Sequence, residues 1–291
     1  MTIAAGVLCA EGVVLASDSK EGYGETHTYV NKVTTARSDE YAAAVASSGE
    51  AYLLDYITPH IKSLLATSKG TSTELECDLR NLMVRMYDSD EVRNYPKDKA
   101  SDLYTQFLVA TQRIGEEFPA LFIINSTLVT KTEELGTVIG CGPLTEVGAE
   151  LGLAAGFSIE KAKAAAMCIV YEAKRRYSDV GGQTSLVAIL NNGKMVIEPS
   201  AVQVEKELLV DSIRRLLNSL TVSTLDSALK PKQFNGLMQR ICSELRAIHR
   251  KSREIEIRHK TEYRKKITKL IKKAGQRKVK RLASRKLALE P

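Results

Sequence analysis

The sequence predicts an α+β fold in which two β-sheets stack face to face and helices cover their outer faces. Three observations predict it. Hairpins of short apolar runs recur through roughly the first 200 residues, two helical segments follow the early hairpins, and an alanine-rich helical segment precedes the last hairpin. Because a sheet or helix with an apolar face must bury that face against another element, this order favours a layered arrangement.

The strands predicted in the first part of the chain form two hairpins. In each, two apolar runs flank a turn, which is Ala10-Glu11-Gly12 in the first hairpin and Arg37-Ser38-Asp39-Glu40 in the second. The predicted strands cover residues 3–8, 13–16, 28–36 and 41–46. Two helices follow, at residues 51–66 and from a capping-box-like Ser72 onward, because apolar residues recur there at three- and four-residue steps.

Strands and a second pair of helices make up the rest of this region. The pair is expected between Pro143 and Tyr177, and Ser158-Ile159-Glu160-Lys161 has the signature of the start of its second helix. The last two strands form a hairpin about Asn192-Gly193. The predicted strands cover residues 103–111, 120–124, 137–139, 186–190 and 195–197.

Composition restricts the class of protein. With 291 residues and 44% apolar content, the chain can bury one large core or a core plus an appendage. It has no apolar run approaching the roughly 18 to 20 residues of a membrane span and no signal sequence, so we expect a cytoplasmic protein without a membrane partner. Its five scattered cysteines lack metal-ligand spacing, which predicts reduced core thiols, no disulfide framework and no structural metal. We also expect no cofactor.

Positive charge is concentrated near the C-terminus. Residues 246–286 contain 18 Lys and Arg residues and three Glu residues, so their net charge is +15. Because the whole chain has a net charge of +7, the rest of it has a net charge of −8. We therefore expect a globular domain at residues 1–203 and a basic helical extension at residues 204–291. One amphipathic helix is predicted at about 208–220 and a longer one from about 233 toward 273.

Two segments resemble one known family. The stretch from Thr2 to Lys20, with Thr2-Ile3-Ala4-Ala5-Gly6-Val7 and Ala16-Ser17-Asp18-Ser19-Lys20, is similar to the start of proteasome β-subunits and their bacterial homologues. Residues 173–189, with Gly181-Gly182 at their centre, are similar to the late catalytic loop and last core strand of these N-terminal-nucleophile (Ntn) hydrolases. The resemblance spans roughly residues 2–200 and implies a four-layer αββα sandwich, a homo-oligomeric ring and threonine endopeptidase activity on polypeptide substrates.

The resemblance also implies a catalytic group. Thr2 would be the nucleophile once Met1 is removed, because its hydroxyl and a free α-amine, whose ordinary pKa is about 7.7 to 8.0, then share one residue. Asp18 and Lys32 stand at the family's acidic and lysine positions, with Lys20 as the alternative lysine. A buried ammonium beside Thr2 would favour ionisation of its hydroxyl, and a carboxylate beside the lysine would keep that lysine charged and oriented.

Other positions follow the family pattern less closely. Ser47 stands where the family places its oxyanion-hole donor, and because that donor is a main-chain N–H, the serine side chain does not abolish the role. Cys141 replaces a serine and would hydrogen-bond only weakly, while Ser178 and Asp179 lie close enough in the sequence to act as supporting residues. In its late loop the family has an aspartate and, three residues later, a serine. This chain has Tyr177 and Val180 at those positions, and neither side chain can replace the family residue.

Three functions stay open at this stage. They are a threonine peptidase, a catalytically inactive ring subunit, and a binder of nucleic acid or an acidic partner through residues 246–286. The first is favoured because inactive outer-ring subunits carry residues ahead of the first strand that block an N-terminal nucleophile, whereas only Met1 precedes Thr2 here. In the basic segment Tyr263 is the only aromatic residue, which argues against stacking on single strands. The sequence does not identify an ATP-dependent unfoldase partner.

Overall fold

The computed structural model describes residues 2–23, 26–94, 104–132, 135–140, 157–225 and 230–287. The chain divides into two compact units, residues 1–207 and residues 208–291. The first unit combines antiparallel β-sheets with helices, so the predicted α+β class is confirmed. Among the described helices, none has the length and apolar character needed to cross a membrane.

Two five-stranded antiparallel sheets and one separate hairpin make up the β structure of the described residues. The strands are β1 Ile3–Cys9, β2 Gly12–Ser17, β3 Lys20–Tyr23, β4 Thr26–Tyr29, β5 Val33–Arg37, β6 Tyr41–Gly49, β7 Thr105–Arg113, β8 Ala120–Asn125, β9 Leu128–Lys131, β10 Gly136–Gly140, β11 Ser185–Leu190 and β12 Met195–Glu198. The first sheet has the order β10-β1-β2-β11-β12 and the second the order β5-β6-β7-β8-β9, while β3 and β4 pair only with each other.

Six helices are found in the described part of the chain, and local capping explains where two of them begin. They are α1 Ala51–Thr67, α2 Ser72–Tyr87, α3 Asp90–Arg93, α4 Ile159–Arg176, α5 Ser200–Leu225 and α6 Pro231–Leu287. The capping box of α2 is formed by Thr71 and Glu74, so the N-cap is one residue earlier than the predicted Ser72. Ser158 caps α4 as predicted, whereas the helix expected before it lies outside the described residues.

The apolar core fills the space between the two sheets and the space beneath α1 and α2. Strand β6 contributes to both layers, because successive side chains on a strand point to opposite faces. Ala42, Ala44 and Ala46 belong to a cluster that also contains side chains of β1, β2 and β11. Ala43 and Val45 belong to a cluster with buried side chains of α1 and α2. Because both faces are covered, β6 is an almost continuous apolar run rather than an alternating one.

Helix α4 packs on the first sheet, where it contacts β1, β2 and β11. Its buried face is built largely of small residues, which lets the helix backbone approach the strands closely: Ala162, Ala165, Ala166 and Ala173, together with Ile169 and Val170. This packing fixes the positions of β1, which Thr2 directly precedes, and of β2, which Asp18 directly follows.

The predicted strand at residues 28–36 is wrong, because the chain forms two strands there. Strand β4 ends at Tyr29, the chain leaves the ladder over the next three residues, and β5 begins at Val33. The Asn31 side chain accepts a hydrogen bond from the Val33 N–H at 3.2 Å, a local side-chain contact that competes with strand pairing. The interruption frees Lys32 from the sheet. Strands β3 and β9 were not predicted, and β3 lies where a loop was expected after the first hairpin.

Candidate active site

The side chains of Thr2, Asp18 and Lys32 meet where the ends of the two sheets face each other. Thr2 directly precedes β1, Asp18 directly follows β2, and Lys32 directly precedes β5. Lys32 Nζ lies 2.8 Å from Thr2 Oγ1, and 3.2 and 3.3 Å from the two carboxylate oxygens of Asp18. The three residues that the resemblance selected therefore form one hydrogen-bonded group.

Asp18 is held by main-chain donors from three parts of the chain. Its Oδ1 accepts the N–H of Ile3 at 3.1 Å, and its Oδ2 accepts the N–H groups of Lys20 and Gly181, each at 3.2 Å. The side chain is fully buried, and burying a carboxylate is costly unless it is both hydrogen-bonded and paired with a cation. Three N–H donors and the Lys32 ammonium meet that requirement.

Lys32 is the lysine that reaches Thr2. Besides Thr2 and Asp18, its ammonium donates to the main-chain carbonyl of Lys20, and its side chain is only 6% exposed. The ammonium of Lys20, the alternative candidate, instead donates to the carbonyl of Ser178 at 2.7 Å. Lys20 thus contributes to the group through its main chain, and its side chain contacts the late loop.

Two glycines allow the backbone to approach this group. Gly140 ends β10 with φ +104°, and a Cβ there would lie 1.9 Å from the carbonyl oxygen of Thr2. Gly182 has φ +72°, and a Cβ there would lie 2.3 Å from Ser19 Oγ. Both values lie in the region that only glycine adopts readily, so larger residues would displace Thr2 or the late loop.

A cleft of about 1060 Å³ opens at Thr2. Its walls include Lys32, Ser47, Gly49 and the first turn of α1. The pairing of β6 with β5 ends at Ala46, so from Ser47 onward this edge of β6 has no partner from β5 while β7 still pairs with its other edge. Ser47 therefore lies beside the cleft at the point where one edge of the strand becomes available to another peptide group.

The residues predicted to support the site are placed less favourably. Cys141 lies outside the described residues. The side chains of Ser178 and Asp179 are exposed, and Ser178 contributes its main-chain carbonyl to Lys20. Val180 is buried at 3% exposure and has no polar side-chain atom, while Tyr177 forms the C-cap of α4. The late loop thus contacts Asp18 through the Gly181 N–H rather than through an acidic or hydroxyl side chain.

A second polar group, which the sequence patterns did not indicate, anchors the end of the late loop. Lys174 Nζ lies 2.7 Å from both Thr184 Oγ1 and Glu207 Oε1, and the Thr184 hydroxyl also donates to Glu207. Thr184 is 1% exposed. Because Gly181 and Thr184 are three residues apart, this contact holds the segment that carries the Gly181 N–H against α4 and α5.

The described cysteines offer no competing nucleophile at the site. Burial and the neighbouring Glu172 raise the pKa of Cys168 to about 11, and burial raises the pKa of Cys9. Cys77, on α2, does not line the cleft, and Cys242, on α6, belongs to the second unit. Both are exposed, so the expectation of core thiols is wrong for these two. In the part of the chain that the structure describes, no cluster of three His, Cys, Asp or Glu side chains could hold a metal ion.

Solved structures that share this fold include several forms of Anbu. The Gly-1 mutant of Anbu from Hyphomicrobium sp. strain MC1 superposes with a TM-score of 0.60 at 14% identity, over 76% of this chain and 100% of its own. Anbu from Yersinia bercovieri, described as an ancestral beta-subunit, gives 0.60 at 16% identity over 79% and 100%. The helical assembly of the Anbu complex from Pseudomonas aeruginosa gives 0.58 at 18% identity over 75% and 96%. No family model and no curated protein sequence matches the chain. At these identities the similarity shows a shared fold.

Proposed function

We propose that this protein is a cytoplasmic threonine endopeptidase whose nucleophile is Thr2 after removal of Met1. The observation that carries the proposal is the 2.8 Å contact between Lys32 Nζ and Thr2 Oγ1, made by an ammonium that the buried Asp18 carboxylate holds in place. A hydroxyl with an adjacent cation and a base within reach is the arrangement that nucleophilic catalysis needs. The shared fold with Anbu supports a proteasome-like scaffold for that chemistry.

Cleavage of the Met1–Thr2 bond supplies the base. In the full chain the Thr2 nitrogen belongs to a peptide bond, and its release converts it into an α-amine on the residue that carries the hydroxyl. The amine accepts the hydroxyl proton as Oγ1 attacks the carbonyl carbon of the substrate, and it then donates that proton to the departing amine. A water molecule, deprotonated by the same amine, hydrolyses the ester and regenerates the Thr2 hydroxyl.

The remaining residues act on charge and position. The Lys32 ammonium stabilises negative charge on Oγ1 as its proton leaves, and Asp18 keeps Lys32 charged and directed at Thr2. We propose that the main-chain N–H of Ser47 donates a hydrogen bond to the substrate oxygen and stabilises the negative charge that develops on it. Ser47 lies on the cleft wall where the pairing of β6 with β5 has ended. The unpaired edge of β6 would align an extended peptide beside Thr2 by strand addition.

The architecture proposed with this function is the four-layer αββα sandwich. The apolar cluster between the two sheets, the packing of α1 and α2 beyond the second sheet and the packing of α4 on the first sheet support it. We also propose a homo-oligomeric assembly, which the helical assembly of the similar Pseudomonas aeruginosa Anbu complex supports. Enclosure within an assembly would keep an open nucleophile away from folded proteins.

Hydrolysis of short fluorogenic peptides by matched variants tests the proposal. We expect Thr2→Ala to abolish turnover, because it removes the hydroxyl, and Thr2→Ser to retain part of it, because serine keeps the hydroxyl and the amine. Ser178→Ala serves as the control, since that side chain is exposed and only its carbonyl contacts Lys20. Equal activity of the wild-type protein and Thr2→Ala would exclude Thr2 as the nucleophile, and inactivity of a wild-type protein that lacks Met1 would favour an inactive scaffold.

A further inference from the structure

Helix α6 carries a basic face that the peptidase chemistry does not use. The helix is continuous over 57 residues, from Pro231 to Leu287. Between residues 246 and 269, nine described Lys and Arg residues are all exposed: Arg246, Arg250, Lys251, Arg253, Arg258, Lys260, Arg264, Lys265 and Lys269. On the same helix, Ile241 and Ile255 are buried at 3% and 2% exposure. The helix therefore has two distinct sides.

Helical geometry places these charges on one half of the cylinder. At about 100° per residue, the nine basic residues fall within an arc of about 180°, and Ile241 and Ile255 lie outside it on the other side. Five of the nine form a narrower line within about 80°: Arg246, Arg250, Arg253, Lys260 and Arg264. This line is about 27 Å long, since it spans 18 residues at about 1.5 Å each. The arc also contains Glu254 and the exposed Ile257.

We infer that this face of α6 binds the phosphate backbone of double-stranded nucleic acid. The nine exposed basic residues of this face lie within 24 residues, or about 36 Å of helix, which is about one cation per 4 Å. The phosphates of one strand of B-DNA have a similar spacing along the helix axis, about 3.4 Å. An α-helix about 10 to 12 Å across also fits the major groove, which is about 12 Å wide.

Two features favour a duplex over the other anionic partners. Single-strand binders stack bases on aromatic side chains, and the basic segment has one aromatic residue, Tyr263. The phosphates of a duplex are spaced regularly along its whole length, so they can pair with basic residues along the whole basic face of α6. The carboxylates of an acidic protein surface have no such regular spacing. The rest of the chain carries a net charge of −8 and would be repelled by phosphates, so contact is confined to α6.

The test is the salt dependence of duplex binding by the full chain, measured by fluorescence anisotropy with a labelled 30-base-pair DNA. If the five residues of the line each neutralise one phosphate, log K should fall with log[salt] with a slope of about −4.5. The variant Arg246→Gln, Arg250→Gln, Arg253→Gln, Arg264→Gln should reduce the slope to about −1 and weaken binding at least 100-fold at 0.1 M salt. Glutamine keeps good helix propensity, which circular dichroism verifies.

A matched control removes the same charge from the other unit. Lys69, Lys131, Lys161 and Lys194 are all exposed, and changing them to Gln should alter the affinity less than twofold. Thr2→Ala should bind as the wild-type protein does, so this inference and the peptidase proposal can fail separately. If the fourfold α6 variant loses helical structure, the inference is judged by the salt dependence of duplex binding of the wild-type protein alone.

Three results would overturn the inference. One is a wild-type slope shallower than about −1. Another is an equal loss of binding in the control variant, which would indicate attraction to total charge. The third is that poly-glutamate displaces the labelled DNA as efficiently as unlabelled duplex does when the two competitors are added at equal total charge. That result would indicate that the face binds an acidic polypeptide.

Discussion

The buried pair of Asp18 and Lys32 should contribute to stability as well as to chemistry. Asp18→Asn removes the negative charge and replaces one carboxylate oxygen with an NH₂ group. In one orientation of the amide this NH₂ group faces the N–H of Ile3, and in the other it faces the N–H groups of Lys20 and Gly181. In either orientation two hydrogen-bond donors face each other. Lys32 is then left buried without its counterion. Breaking one partner of a buried pair costs about 3–5 kcal/mol, which for a unit of this size lowers Tm by about 6 to 20 °C.

A double-mutant cycle isolates the interaction. Lys32→Met should cost about 2–4 kcal/mol, somewhat less than Asp18→Asn, because the carboxylate keeps its three main-chain donors. The double variant should be more stable than the sum of the two losses predicts, by at least about 2 kcal/mol. The exposed pair Arg93–Asp88 gives the control, and Arg93→Met should change the stability by less than about 1 kcal/mol.

Differential scanning fluorimetry measures the wild-type protein and the four variants. It is done at a fixed protomer concentration, because the proposed assembly would make Tm depend on concentration. Strict additivity of the two single changes, or a loss in Asp18→Asn no larger than that in Arg93→Met, would refute the view that this pair is buried and coupled. The site would then lack the fixed ammonium on which the proposed chemistry depends.

Further predictions concern backbone space, acid sensitivity and thiol reactivity. Gly140→Ala should lower Tm and peptidase activity together, because the added Cβ would overlap the Thr2 carbonyl oxygen. Gly115→Ala is the control: Gly115 also has a positive φ, but a Cβ there would meet no atom within 4 Å, so the substitution should cost only about 1 kcal/mol of stability. Equal losses of stability in the two variants would contradict the steric argument. Burial alone would raise the pKa of Glu198, yet Lys206 and Lys163 hold it below its ordinary value, so its stabilising effect should be present above about pH 4.3 and lost as the pH falls through the folded-state pKa. Glu198→Gln should therefore melt below the wild-type protein at pH 7 and approach it as the pH falls through the folded-state pKa, and a pH-independent difference would exclude this linkage. At pH 8 an alkylating reagent should modify the exposed Cys77 and Cys242 well before Cys168, whose pKa is about 11, and mass spectrometry identifies the modified residues. Rapid labelling of Cys168 would contradict its raised pKa.

Some strand positions could be predicted from the sequence and others could not. The first hairpin was predictable because apolar runs flank a turn containing Gly12, which adopts φ +154° in the structure. Residues 28–36 were misassigned because Tyr29 and Val30 have high strand propensity, while the local contact of Asn31 with Val33 carries no comparable signal.

The main-chain part of the site could not be predicted from residue types. The N–H of Gly181 reaches Asp18 across 163 positions of sequence, and the carbonyl of Lys20 accepts from Lys32, yet every residue other than proline has such groups. The tight approach of Gly140 to Thr2 likewise depends on the pairing of β10 with β1. Only the resemblance indicated which lysine would reach Thr2, because Lys20 and Lys32 are equivalent in charge and both lie close to Asp18 in sequence.

Mass spectrometry of the intact protein and of its peptides, after treatment with a peptide epoxyketone, tests whether Thr2 is an N-terminal nucleophile. An epoxyketone captures a hydroxyl and an α-amine on the same residue. We predict that the purified protein lacks Met1, that it gains one inhibitor mass per chain at Thr2, and that Thr2→Ala gains none. A protein that retains Met1, or one with Thr2 free and no adduct between about pH 6 and 9, where the amine titrates, would contradict the account.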